Sequence, residues 1–345
     1  MKKPLPHKKR LQQLNRGRKL FKLKLDRKDR KANLPILGTG LEVETVKPKS
    51  DSQYENPEYT VRVPEIFSVN DDINGVVNFV SSIPKLKHRY NRLMFDMSNI
   101  KAIDVCAIVM FLTQLNELID NKTHYWGNFP NDPECKKVFE ESGFLGHMIN
   151  INGQKFDTSN DTNLIVKRGM NQTMSELTGK TISKAIMKLT GSAQHYRPVQ
   201  SIVQEMAGNA IEHAYDNQRK HWLFCVNYVN DEIVFILSDA GKGILKTINR
   251  KFKAVIDTLQ IKEPKEILYQ AFQKKYDSIT NEVNRNKGLP LIKKISDENK
   301  ICDLKVITNR VYLNFGTLSD SKNLETNYNG TIYIWKVNRD TLDNL

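Results

Sequence analysis

The chain has 345 residues, a length that suits two domains. Its 39% hydrophobic fraction is enough for packed cores and excludes a wholly disordered chain. The longest apolar run, Val105 to Leu112, falls far short of the roughly 20 residues that span a bilayer. The formal net charge of +14 lies almost entirely in residues 1–31, where fourteen Lys/Arg face two Asp, so the basic character belongs to an arm rather than to the folded body.

In chain order, residues 1–58 read as a basic arm and linker, partly disordered. Lys2 to Lys24 interleave with Leu11, Leu14, Leu20, Phe21, Leu23 and Leu25, and Pro35, Gly38, Gly40, Pro48 and Pro57 give 34–58 a linker composition. No apolar segment follows the basic start as a secretory signal would require. The four cysteines, Cys106, Cys135, Cys225 and Cys302, form no C-x-x-C pair, which fits a reducing cytoplasm.

From 59 the pattern becomes globular. Tyr59 to Val63, Arg92 to Phe95 and Thr123 to Trp126 read as strands. Asn74 to Ile83, Asp104 to Ile119 and Asp132 to Ser142 read as helices, the second apolar on most faces and the third closed by Gly143. Such alternation predicts an α/β layer structure. After a polar stretch with one strand at Asn163 to Lys167, helices are predicted at Thr181 to Leu189 and Pro198 to Tyr215. Strands follow at His221 to Val229 and Glu232 to Ser238, then a charged, partly helical stretch over 244–285 and a helix from Gly288 to Ile295. Cys302 to Thr308, Arg310 to Phe315 and Thr331 to Val337 are the final strands. The fold class is α/β (α+β) in two domains.

Three blocks carry chemistry. Glu205, Asn209 and His213 recur at four-residue intervals, so they line one face of a helix. An amide oxygen such as that of Asn209 is a hard ligand suited to Mg²⁺, and the Glu205 carboxylate one turn away suits a general base. A solvated helical face has the same spacing. The second block, Asp239-Ala-Gly241-Lys-Gly243-Ile244, follows directly on a strand. A strand-end Asp can accept an adenine amino hydrogen, and the two glycines allow close backbone approach; an ordinary Gly turn reads alike. It is neither a P-loop nor a dinucleotide fingerprint. The third block runs from Asn284 to Ile292. Gly288 and Leu289 open a helix whose N-terminus suits phosphates, with Arg285 and Lys287 beside it; a basic surface turn is the plain alternative.

Taken together, these blocks resemble the GHKL superfamily, the Bergerat-fold ATP-binding domain shared by gyrases, heat-shock chaperones, histidine kinases and mismatch-repair ATPases. The resemblance covers roughly 175–340. It implies that Glu205 is the general base of the N-box and Asn209 the Mg²⁺ ligand. Asp239, Gly241 and Gly243 match the G1 box, Gly288 the G2 box, and Gly330-Thr331 the last element. Asn286 stands where the G2 box usually has a further glycine. Ser278 and Thr280 fall in the approach to Gly288, where lid hydroxyls can touch phosphates. Around Glu205 to Tyr215 the sequence is most similar to the anti-sigma-factor kinase branch. Residues 92–112, with Asp96-Met-Ser98 and Ile103-Asp104, resemble the STAS fold of anti-anti-sigma factors over about 59–150. Val105 and Cys106 replace that family's phospho-acceptor, which implies a docking domain for protein partners rather than a phosphorylated one.

The expected function is an ATP·Mg²⁺-dependent conformational switch or ATPase in a multicomponent complex, such as a stress or phage-response system, with a homodimer as candidate assembly. An anti-sigma-type serine/threonine kinase is the alternative. A second alternative is a nucleic-acid-binding protein with ATP as a ligand only, gripping phosphates through residues 2–31. A sensor histidine kinase is rejected, because no dimerisation helix pair with an acceptor His precedes the Glu205 block.

Overall fold

The computed structural model describes residues 58–120, 123–149, 154, 156, 164–170, 174–214, 221–258, 263–273 and 288–343. The basic arm and nearly all of the linker lie outside the described residues. So do Ser278, Thr280, Arg285, Asn286 and Lys287. The described residues belong to one compact unit that runs from Thr45 to Leu345.

The first part is built on parallel strands. β1 (Tyr59–Arg62), β3 (Arg92–Asp96) and β5 (His124–Gly127) form a sheet in the order β1-β3-β5, and β2 (Ile66–Phe67) pairs in parallel with β4 (Ala102–Ile103). Parallel neighbours need crossovers, and α1 (Val69–Leu86) and α2 (Val105–Asp120) supply them. α1 starts twice. Ser68 caps its first turn by accepting from the Asp71 N–H at 3.3 Å, and Asp72 then leaves helical geometry (φ −142°, ψ 78°) and caps a fresh start by accepting from the Gly75 N–H at 2.9 Å. α3 (Pro133–Glu141) begins at an Asp132 cap with proline in its first turn, and Gly143 beyond it takes the left-handed conformation.

The second part is an antiparallel sheet of five strands in the order β6-β7-β8-β10-β9: β6 (Leu164–Met170), β7 (His221–Val229), β8 (Glu232–Asp239), β9 (Cys302–Asn314) and β10 (Lys322–Val337). Its helices are α4 (Ser175–Thr190), α5 (Arg197–Asn209), α6 (Ile244–Thr258), α7 (Pro264–Phe272), α8 (Gly288–Asp297) and the short α9 (Arg339–Asp343). α5 runs on into a π-helical turn, Ala210–Ala214, which contains His213. The molecule is thus a mixed α/β structure with parallel and antiparallel sheets.

Strand alternation splits the large sheet into two buried faces. Phe235, Leu237, Tyr333 and Trp335 point to the front, into a core with Val199, Val203 and Met206 of α5 and Ile292 of α8. Phe224, Phe235 and Trp335 stack there with centroids 5.7–6.4 Å apart. Ile236, Ile307 and Ile332 point to the back, into a second core that also contains Leu93 and Phe95 of β3 and most of α2. Every side chain of residues 106–116 is buried as a result. This explains why that helix is apolar all round: it lies between the two sheets.

Two strand expectations need correction. Cys302–Asn314 is one strand, not two, with Asn309 held at φ 51° inside it, and Phe315 lies just beyond its end. β10 begins at Lys322 rather than at Thr331, and its extra length is polar, with only Leu324 and Tyr328 buried before Gly330. The register with β9 shifts on both sides of Tyr328.

Candidate functional site

The described residues of the three chemistry-bearing blocks meet at the front of the large sheet. Asp239 is the last residue of β8 and is 4% exposed. It pairs directly with Thr331 of β10. The Gly241 N–H donates to Asp239 Oδ1 at 2.8 Å, and the Thr331 main-chain N–H also lies against the carboxylate. Two such donors favour ionisation, but burial outweighs them and pushes the carboxyl up to about 7. Gly330 comes so close that a Cβ there would run into the Asp239 carbonyl oxygen, at a φ of 135° that side chains rarely adopt.

Below this edge lies the helical block. Glu205 and Asn209 are both half-buried in the last two turns of α5. Burial, with Glu212 adding to it, holds the Glu205 carboxyl above its ordinary range. Gly288, the first residue of α8, is packed against both. A Cβ at Gly288 would stand 2.8 Å from Glu205 Oε2 and 3.4 Å from Asn209 Nδ2. The bare Cα therefore lets the positive end of α8 approach a carboxylate and an amide closely. Tyr333 links the two halves. Its hydroxyl is buried beside Asn209 and Asp239, without a hydrogen bond of good geometry.

The Asp239–Gly243 turn is fixed from β9. Thr308 Oγ1 accepts from the Ile244 N–H at 2.9 Å and lies 3.0 Å from the Gly330 carbonyl and 3.2 Å from Thr331 Oγ1. Asn309 donates to the Lys242 carbonyl at 2.9 Å and accepts from the Lys246 N–H at 3.3 Å. Gly243, at φ 82°, rests on the Asn309 side chain. Neither Thr308 nor Asn309 was singled out from sequence, and neither was Tyr333. The available signal was the Thr-Asn pair at 308–309, polar residues inside an apolar run, of which Thr308 read as a strand end and Asn309 as the gap before the next strand.

Glu205, Asn209, Asp239, Gly241, Gly243, Ile244, Gly288, Leu289 and Thr331 thus fall on one connected region. Leu289 packs at the edge of the front core and Ile244 opens α6. His213 is placed only by its backbone, in the turn after α5. Among the described residues no three or more His, Cys, Asp or Glu side chains gather as a metal site, and no helix is long and apolar enough to cross a membrane. What the region offers is one carboxylate and one amide a helical turn apart, a helix N-terminus against them, and a buried carboxyl at a strand end. No protein-family model matches the chain, and no curated protein matches it.

Proposed function

We propose that the front of the large sheet binds ATP·Mg²⁺ and that the chain is an ATP-dependent switch of the Bergerat-fold type. The observation that carries this reading is the convergence of Gly288, Glu205 and Asn209, residues more than 75 positions apart along the chain for the first and last. In this reading Asp239 accepts the amino hydrogen of adenine, with Thr331 paired beside it. The N-terminus of α8 faces the phosphates. Asn209 holds Mg²⁺ through its amide oxygen. Mg²⁺ keeps most of its coordination for phosphates and water, so a single protein ligand suits it. The ion would neutralise phosphate charge when bound. Glu205, held above the ordinary carboxylate range by burial, is placed to take a proton from a water or hydroxyl.

The first residues of this reading to test are those of the reaction itself. Incubation with ATP labelled in its terminal phosphate should give slow turnover by the wild type, and Glu205→Ala should bind nucleotide yet lose at least about a hundredfold in turnover, as removal of a general base does. Unchanged turnover in Glu205→Ala would remove Glu205 from that role. Release of free phosphate supports an ATPase, and label on a protein hydroxyl supports a serine/threonine kinase instead.

A further inference from the structure

The back face of the large sheet carries a polar network directly behind the proposed site. On α2, Thr113 Oγ1 lies 2.7 Å from the Val109 carbonyl and 3.0 Å from Ser238 Oγ, and Ser238 Oγ lies 3.4 Å from the Tyr328 hydroxyl. A threonine hydroxyl has one hydrogen and a carbonyl can only accept. Val109 therefore takes the Thr113 hydrogen, Ser238 donates to Thr113, and Tyr328 donates to Ser238. The adjacent Gln114 donates through Nε2 to the Asn329 carbonyl at 3.2 Å. Thr113, Gln114, Ser238 and Tyr328 are all at most 4% exposed. The bonds of Thr113 and Ser238 are buried in an otherwise apolar layer, and the Gln114–Asn329 bond lies at its partly buried edge; in such surroundings a polar pair is costly to break and fixes one alignment.

The strand residues held this way are the immediate neighbours of the front-face residues. Ser238 precedes Asp239 in β8, and Asn329 precedes Gly330 and Thr331 in β10. Asp239 and Thr331 are cross-strand partners. Gly330 leaves no room for a Cβ against the Asp239 carbonyl, so the two strand ends have little slack between them.

We propose that Thr113 and Gln114 are positioning residues: from behind the sheet they fix the ends of β8 and β10 and so set where Asp239 and Thr331 stand. The consequence for nucleotide rests on the reading above; the mechanical part does not. A helix of the first, parallel-strand part thereby bears on the proposed site without touching it.

The test uses the full chain and three near-isosteric variants, Thr113→Val, Gln114→Met and Thr113→Ser. In the absence of nucleotide, amide hydrogen exchange of Gly241, Gly330 and Thr331 should quicken by about tenfold in the first two variants, with the remaining sheet amides protected as in the wild type, and Thr113→Ser should restore wild-type rates. Affinity for ATP with Mg²⁺ should fall about five- to tenfold in Thr113→Val and Gln114→Met and recover in Thr113→Ser. Unchanged exchange at those amides, or a uniform rise across the sheet, overturns the positioning role. Local exchange that rises while ATP affinity stays constant overturns its functional consequence. Local exchange that rises in a wild-type background that binds no ATP supports the positioning role and defeats the nucleotide reading instead.

Discussion

Asp239 is the residue on which pH should act most visibly. An aspartate in an unfolded chain titrates near about 3.9, while burial places this one at about 7. Between those values the folded chain keeps a proton that the unfolded chain has released. The carboxyl therefore costs nothing below about pH 4, costs progressively more as pH rises to about 7, and levels off above that. At about 1.4 kcal/mol per unit, the penalty at pH 8 is on the order of 4 kcal/mol. Asp239→Asn should raise Tm at pH 8 and leave it nearly unchanged at pH 4, as thermal melts across that range will read. Nucleotide affinity in the wild type should run the other way, rising with pH through about 7, because the ionised form is the better acceptor for an amino hydrogen. Asp239 and the Glu205–Asn209 pair were legible in the sequence because spacing and position after a strand reveal them. Thr308, Asn309 and Tyr333 were not, because what they touch lies far away along the chain: Thr308 holds the Ile244 N–H across 64 residues.

At the scale of elements, α1 shows what local sequence carries. The sequence predicts a helix from Asn74, and the regular helix does restart there, because Asp72 breaks the first turn and caps the second. Asp72→Ala should therefore cost about 1 kcal/mol, as lost caps do, measured by urea denaturation. A variant as stable as the wild type would mean that the Ser68 cap alone holds the helix. The long strands were less legible. Asn309 interrupts an apolar pattern where the β9 backbone turns left-handed, and its side chain there supports the Asp239–Gly243 turn. The polar start of β10 lacks the alternation that marks a strand, since its pairing with β9 rather than burial makes it one.

At the scale of the molecule, the position of α2 between two sheets ties the part with parallel strands to the part with the proposed site. The apolar character of that helix was plain in the sequence, but the second sheet that covers it was not, because the covering residues Leu223, Cys225, Ile236 and Ile307 come more than 100 positions later. The basic arm adds a separate expectation. Its fourteen cationic side chains over residues 1–31 should hold nucleic acid by phosphate contact that weakens steeply with salt. Removing residues 1–31 should abolish retention on a nucleic-acid column at low salt; equal retention by the shortened chain would assign the arm to another partner. Titration calorimetry of the full chain with ATP and Mg²⁺ tests the proposed nucleotide site most directly. Saturable binding at one site per chain is expected, weakened at least about tenfold in Asn209→Ala and in Asp239→Asn while both variants keep the wild-type circular dichroism spectrum. A wild-type chain that takes up no ATP, or two variants that bind it as tightly as the wild type, would contradict it.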